Sequence, residues 1–263
     1  VLTRWYAEFG HALNNWRQRQ ENKYLPELLL KKTPILVYQM GKVGSSSIYW
    51  PLKKLYSGAV LHAHNLRSDH YAQEVHILRD YLKDDHAPII LISLARDPIA
   101  RNISAFFQSF KKFVGCRPDQ YKGSVEQLLH IFIDDYHHHI PHEWFQKRML
   151  QEFEINIYDH ILRKDKTLFI EKGPVKTLVM RQDITDELKE KYVRDITGLP
   201  TFQLERKNRA EDKSYAELYS SFKKLPLPED YVQEQLSTQY SNYFFTEQER
   251  DAMMKKWSKK DDL

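Results

Sequence analysis

The stretch "MGKVGSSS" (residues 40–47) sets two glycines, a lysine and three serines directly behind an apolar run, "PILVYQ" (34–39). Glycines let a backbone approach an anion closely, serine hydroxyls add donors, and a lysine adds a full charge. A turn that leaves a buried strand and opens a helix also aims N–H groups outward, backed by the positive end of the helix dipole. Lys42, Val43, Gly44, Ser45, Ser46 and Ser47 therefore make a candidate phosphate cradle. The order is not that of the Walker loop, which closes on Gly-Lys-Ser/Thr. Here Lys42 precedes the second glycine and the serines close the turn.

Two more polar groups stand at the ends of apolar runs. "LHAH" (61–64) carries His62 and His64, which strand alternation places on one face. A neutral imidazole there is a candidate general base; a hydrogen-bonded polar pair at a strand end is the alternative. In "LARDPIARNIS" (94–104), Arg96 leaves a third apolar run and Ser104 follows one or two turns into a helix, so both can face one phosphate.

The elements that must position these groups are legible from periodicity. Strands are expected over 34–39, 58–64 and 88–95, alternating with helices over 46–56, 68–83 and 97–113. Ser68 is the expected cap of the second helix, Pro98 fits the first turn of the third, and Pro51 must sit in a first turn or kink the first. Alternating apolar strands and helices predict an α/β fold with a parallel sheet covered on both faces, and ligands gather at the carboxyl ends of such strands. Residues 114–165 read as a mostly helical, acceptor-side insertion. Residues 166–199 read as a strand pair followed by a helix capped near Thr185, and 208–257 as three helices broken by "LPLP". Residues 1–33 form a helical N-terminal segment whose aromatic stripe at 2–16 suits a helix docked on the domain, with a membrane-surface or partner helix as the sharper alternative; 34–257 are read as one domain and 258–263 as a tail, with all of "KKWSKKDDL" (255–263) expected to be solvated and frayed.

Taken together, the Lys42 turn and the Arg-Asp-Pro segment, with an arginine three residues beyond the proline, resemble the two nucleotide-binding elements of sulfotransferases. Those enzymes use 3′-phosphoadenylyl sulfate (PAPS). The C-terminal half resembles the bacterial capsular polysaccharide synthesis family, whose signature is Asn…Lys-Trp-Tyr-Ser after a Trp-Phe segment. Trp144 and Phe145 match the latter, while Asn208, Lys213 and Tyr215 match the former with "KSY" in place of "KWYS". This likeness spans most of residues 34–257 and implies a P-loop-like sheet, PAPS as sulfuryl donor and a hydroxyl acceptor on a carbohydrate. It implies that Lys42 serves the bridging oxygen and that the loop with Ser45, Ser46 and Ser47 holds the 5′-phosphate. It further implies that Arg96 and Ser104 hold the 3′-phosphate and that Asn208 and Lys213 contact the nucleotide. The His-x-His resembles that of uronosyl 2-O-sulfotransferases, which implies His64 as base with His62 in support. Glu143 is a rival base, as carboxylates are in other sulfotransferases.

No acidic residue stands in the turn where Mg²⁺ would want one, so no metal is expected. The cluster Asp134, Asp135, His137, His138, His139 and His142 reads as a polar patch, with a metal site as the sharper alternative. Trp144, Phe145 and Tyr215 suit stacking on sugar or adenine, or plain core packing. Arg181 and Asp183 suit substrate orientation or mutual pairing. Two other functions compete with sulfuryl transfer: a nucleotide kinase or NTPase of related architecture, and a noncatalytic nucleotide- or glycan-binding module.

Composition bounds all of this. The 263 residues carry 40 basic and 36 acidic side chains, a net charge of +4, which suits a local cationic site better than a nucleic-acid surface. With 41% hydrophobic residues the chain can build a sizeable core. Cys116 is the single cysteine, so no internal disulfide forms. No apolar run has the length of a membrane span and no signal peptide is visible. The expected location is cytoplasmic, with the question of a targeting or anchor segment before Val1 left open.

Overall fold

Three apolar runs become the middle of one sheet. The computed structural model describes residues 22–67, 73–205 and 215–258. Its five strands are β1 (Ile35–Tyr38), β2 (Val60–Ala63), β3 (Ile89–Ala95), β4 (Thr167–Lys172) and β5 (Val175–Arg181), in the order β2-β1-β3-β5-β4. All neighbours are parallel except β4, which pairs antiparallel with β5 as a hairpin turning at Gly173. β1 and β3 are buried at every position, as strands covered by helices on both faces must be. The chain is thus α/β, a mostly parallel sheet flanked by helices.

The helices are α1 (residues 22–31), α2 (Ser46–Leu55), α3 (Gln73–Tyr81), α4 (Pro98–Gln108), α5 (Phe110–Val114), α6 (Val125–Asp135), α7 (Ile140–Trp144), α8 (Gln151–Phe153), α9 (Asp186–Thr197), α10 (Ala216–Lys223), α11 (Glu229–Leu236), α12 (Gln239–Phe244) and α13 (Glu247–Ser258). A π-helical turn, Phe145–Leu150, joins α7 to α8. Leu25 and Leu29 of α1 are buried in the sheet's own core, so this part of the N-terminal segment packs with the domain. The aromatic stripe at 2–16 and the expected cap Ser68 lie outside the described residues.

Two expectations are corrected here. The C-terminal part holds four helices among the described residues, α10 to α13, instead of three. Thr238 starts α12 by accepting from the Ser241 amide, a cap that needs no proline to break the chain. The end of the chain is also no solvated tail as far as Ser258. Trp257 is buried at 2% exposure, and its indole N–H donates to Asp97 Oδ2 at 3.0 Å, fixing α13 against the start of α4.

Pro51 sits inside α2, where its missing N–H leaves the Ser47 carbonyl without a helical donor. The Glu205 amide supplies one at 3.2 Å. The helix that opens at the glycine–serine turn is thereby tied to the segment beyond α9. At the same carboxyl end of the sheet, directly after β3, Asp97 caps α4 through the Ile99 and Ala100 amides, with Pro98 at its first position. α4 then separates the sheet core from a second, strongly aromatic core in which Phe106, Phe107, Phe110, Phe132 and Phe222 pack.

Candidate active site

Because β1 lies between β2 and β3, its carboxyl end is a topological switch point, where neighbouring connections diverge and leave a crevice. The turn 39–45 fills that point. Val43 is fully buried and pins the turn to the core, an anchorage of about 1.5–3 kcal/mol for a side chain of this size. Lys42 has φ 72° and Gly44 φ 86°. For a lysine that left-handed backbone is uncommon and must be held by its surroundings.

Two guanidiniums hold it. Arg101 Nε donates to the Gly41 carbonyl at 3.0 Å, and Arg96 Nη1 donates to the Lys42 carbonyl at 2.7 Å. Arg96 is itself fixed by the Tyr240 hydroxyl, which accepts from its amide at 2.9 Å and donates to its carbonyl at 2.7 Å. On the far side, the Ser47 hydroxyl donates to the Gly44 carbonyl at 2.8 Å and closes the turn.

The histidines come from β2. His62 and His64 sit edge to face with ring centroids 5.2 Å apart, and Tyr49 of α2 stacks on His62 at 5.2 Å. His62 Nε2 lies 2.9 Å from Gln39 Nε2 and 3.0 Å from Ser45 Oγ, and Gln39 Nε2 also donates to Ser45 Oγ at 2.7 Å. Its ring is therefore tied into the loop. Burial, reinforced by His64, pushes its pKa down to about 4. His64 Nδ1 lies 2.8 Å from the Gln39 carbonyl, an acceptor, so Nδ1 carries the hydrogen and Nε2 the lone pair in the neutral ring. That Nε2 faces Gly41, where an added Cβ would come within 3.6 Å. Burial lowers the His64 pKa, a hydrogen bond to Gln39 opposes this, and Arg101 lowers it further. The outcome is an imidazole neutral at pH 7 with its basic nitrogen presented at the turn.

These groups share one open cleft of about 500 Å³, a size suited to a small-molecule ligand. Lys42, Gly44, Ser45, Ser46, Ser47, His62, His64, Arg96 and Ser104 all line it, joined by Gln39, Gln108 and Tyr219. Among the described residues, no Asp or Glu lines it. The cleft is cationic and rich in donors, an environment for an anion. Among the described residues, no group of three or more side chains is arranged to hold a metal ion.

Other expected residues fall elsewhere. Glu143 is not on the cleft; it is half-exposed and paired with Lys147 at 2.5 Å, which keeps its carboxyl below the usual range. The rival base of the sequence reading thus stands apart from the histidines that line the cleft. Trp144 is buried, and its indole N–H donates to the His64 carbonyl at 2.9 Å, so it supports the histidine from behind rather than stacking on a ligand. Phe145 packs against Tyr240 and Phe244, and Tyr215 against Phe107. Arg181 pairs with Asp183 at 2.9 Å and with Glu249 at 2.7 Å, which is a structural bracket between β5 and α13. Asn208 and Lys213 lie outside the described residues.

The histidine-rich patch does not converge. His138 spans the Phe132 carbonyl and the Tyr231 hydroxyl, and His142 spans Thr238 and Gln235. Asp134, Asp135, His137 and His139 are exposed. Conversely, sequence reasoning gave no role to Gln39, Gln108 or Tyr219, and met Arg101 only as a member of the Arg-Asp-Pro segment. The available signals were a glutamine closing an otherwise apolar strand and a second arginine in the Arg-Asp-Pro segment.

No family model, curated protein or solved structure matches this chain. Among the described residues, no helix is long and apolar enough to cross a membrane.

Proposed function

We propose that this chain is a PAPS-dependent sulfotransferase with a P-loop-like nucleotide site, acting on a hydroxyl of a carbohydrate. One observation carries the reading: the Lys42 turn, the Arg96–Ser104 pair and His64 line a single cleft at the switch point of a parallel sheet, with no carboxylate among the described residues that line it. A nucleotide with phosphate at both the 3′ and 5′ ribose positions needs two anion-binding elements from neighbouring strand ends, and the described lining of this cleft sets no carboxylate against it.

PAPS supplies the sulfuryl group. Within the cleft, the first amides of α2 and the Ser46 hydroxyl serve the 5′-phosphate, with Ser45 and Ser47 shaping the turn through their bonds to Gln39 and the Gly44 carbonyl. Arg96 and Ser104 serve the 3′-phosphate. Sulfuryl transfer, like phosphoryl transfer, places charge on the leaving oxygen in an in-line transition state, and Lys42 provides the point charge that offsets it. His64 Nε2 takes the proton of the acceptor hydroxyl, and the Nδ1–H bond to Gln39 holds the ring in the tautomer that leaves Nε2 basic. His62, locked by Gln39 and Ser45, keeps the turn and the base in register.

Calorimetric titration tests this directly. Adenosine 3′,5′-bisphosphate is expected to bind at least tenfold more tightly than ATP, without added magnesium. Tighter binding of ATP would overturn the reading and favour a kinase or NTPase.

A further inference from the structure

Arg101 occupies an expensive position. It is 5% exposed, and among the described residues no carboxylate pairs with it. Its donors go to neutral acceptors: the Gly41 carbonyl at 3.0 Å, Asn102 Oδ1 at 3.0 Å and the Tyr136 hydroxyl at 3.1 Å. A buried cation without a counter-ion is retained only against a cost. Arg101 does not itself line the cleft; it stands behind the turn.

Peptide geometry says what a cation there does. The Gly41 carbonyl and the Lys42 amide belong to one trans peptide, as do the Lys42 carbonyl and the Val43 amide, and all peptides here are trans. A carbonyl drawn toward a guanidinium turns its own N–H to the opposite side. It also polarises that N–H, because hydrogen bonds in series strengthen one another. Arg101 and Arg96 act on two consecutive peptides in this way, and Lys42 takes up its left-handed backbone between them. Successive amides around such a residue form an anion-binding nest.

We propose that Arg101 is a positioning residue: from behind the turn it converts residues 41–43 into a polarised donor nest for an anionic ligand and, bonded to the same Gly41 that His64 Nε2 faces, sets its cation beside the base. The ligand half of this rests on the sulfotransferase reading; the His64 half does not. Among the described residues, the charged and titratable groups about His64 are His62 on its own strand, Arg101 from α4, and Lys42 and Arg96, which line the same cleft. One buried side chain thus couples anion binding to the state of the base.

The experiment has two arms. In the first, adenosine 3′,5′-bisphosphate is titrated calorimetrically into wild type, Arg101→Lys, Arg101→Gln and Tyr136→Phe. In the second, the His64 ring signals are followed by NMR against pH without ligand. Arg101→Gln should weaken bisphosphate binding about tenfold, the loss of roughly one charge-assisted hydrogen bond, and should raise the His64 midpoint. Arg101→Lys keeps the charge but not the fork, so it should weaken binding while leaving the His64 midpoint near that of wild type. Tyr136→Phe, which removes one partner of Arg101 and spares the charge, should behave as Arg101→Lys does if Arg101→Gln fails to fold. Unchanged bisphosphate affinity across all folded variants overturns the nest. An unchanged His64 midpoint in Arg101→Gln overturns the electrostatic role; should that variant not fold, a His64 midpoint in Arg101→Lys displaced as far as the loss of a charge would move it does so instead. Wild type that binds no bisphosphate refutes the sulfotransferase reading, and the NMR arm still decides the role of Arg101.

Discussion

Two regions of this molecule hold paired histidines, and they differ in what is left over. His62 and His64 stand at the end of β2, while His138 stands between α6 and α7 and His142 within α7. All four are held below the ordinary imidazole pKa, with burial the first cause in each. In the helical pair each ring spans two protein partners, with the Tyr231 and Phe132 groups around His138 and the Gln235 and Thr238 groups around His142. In the strand-end pair His62 is equally tied, but His64 spends only Nδ1 and turns Nε2 toward Gly41 and the cleft. Density of histidine and depressed pKa are common to both regions. The difference lies in bonding capacity that the fold leaves pointed at open space.

The sharpest way to break that comparison is to delete one ring from each pair. His64→Ala should lower sulfuryl transfer from labelled PAPS to a glycan acceptor by about 10²–10⁴-fold, the range of a lost general base, with bisphosphate affinity preserved. His142→Ala should leave transfer per folded molecule near wild type. It strands Gln235 and Thr238, so it should cost about 1–3 kcal/mol in urea unfolding. Equal losses of transfer in the two variants would erase the distinction between the regions.

Acid stability tests what the regions share. A histidine whose folded pKa is depressed stays neutral in the native state while the unfolded chain takes up a proton. Its contribution is therefore complete above the ordinary value of 6.5 and is lost as pH falls toward the folded value. For His62, with a folded value of about 4 against 6.5, the loss is about 3 kcal/mol between those limits. His64, His138 and His142 act in the same direction. Urea midpoints measured at pH 7 and pH 5 should fall with acid, and a flat response would mean that the rings are protonated in the folded protein.

The smallest expected effect sharpens the boundary of the site. Glu143→Gln removes an exposed ion pair with Lys147, worth at most about 1 kcal/mol, and should change transfer by less than about twofold. A loss comparable to that of His64→Ala would bring Glu143 back as the base.

The strand–helix alternation was legible because β1 and β3 are apolar at every position and Pro98 and Thr185 mark helix starts by mechanisms local to the chain. The turn at Lys42 and the segment at Arg96 were legible for the same reason: each follows a strand directly, so strand end and chemistry are neighbours in sequence. The fourth C-terminal helix was missed because its cap, Thr238, looks like any other threonine until the Ser241 amide reaches it. Glu143 stands off the cleft although its neighbour Trp144 touches the site. Trp144 bonds the His64 carbonyl, while one residue earlier a helix has turned by a hundred degrees and faces solvent.

By itself the sequence determined which residue types stand at each strand end, since burial period and turn chemistry act over a few residues. Only the tertiary structure decided which of those ends adjoin, through the order β2-β1-β3 that brings Lys42, His64 and Arg96 to one cleft. It also placed Arg101 behind the Gly41 carbonyl, 60 residues away along the chain. Hydrogen bonds and desolvation act through space, and no local pattern encodes which distant partner will satisfy a carbonyl or leave an imidazole nitrogen free.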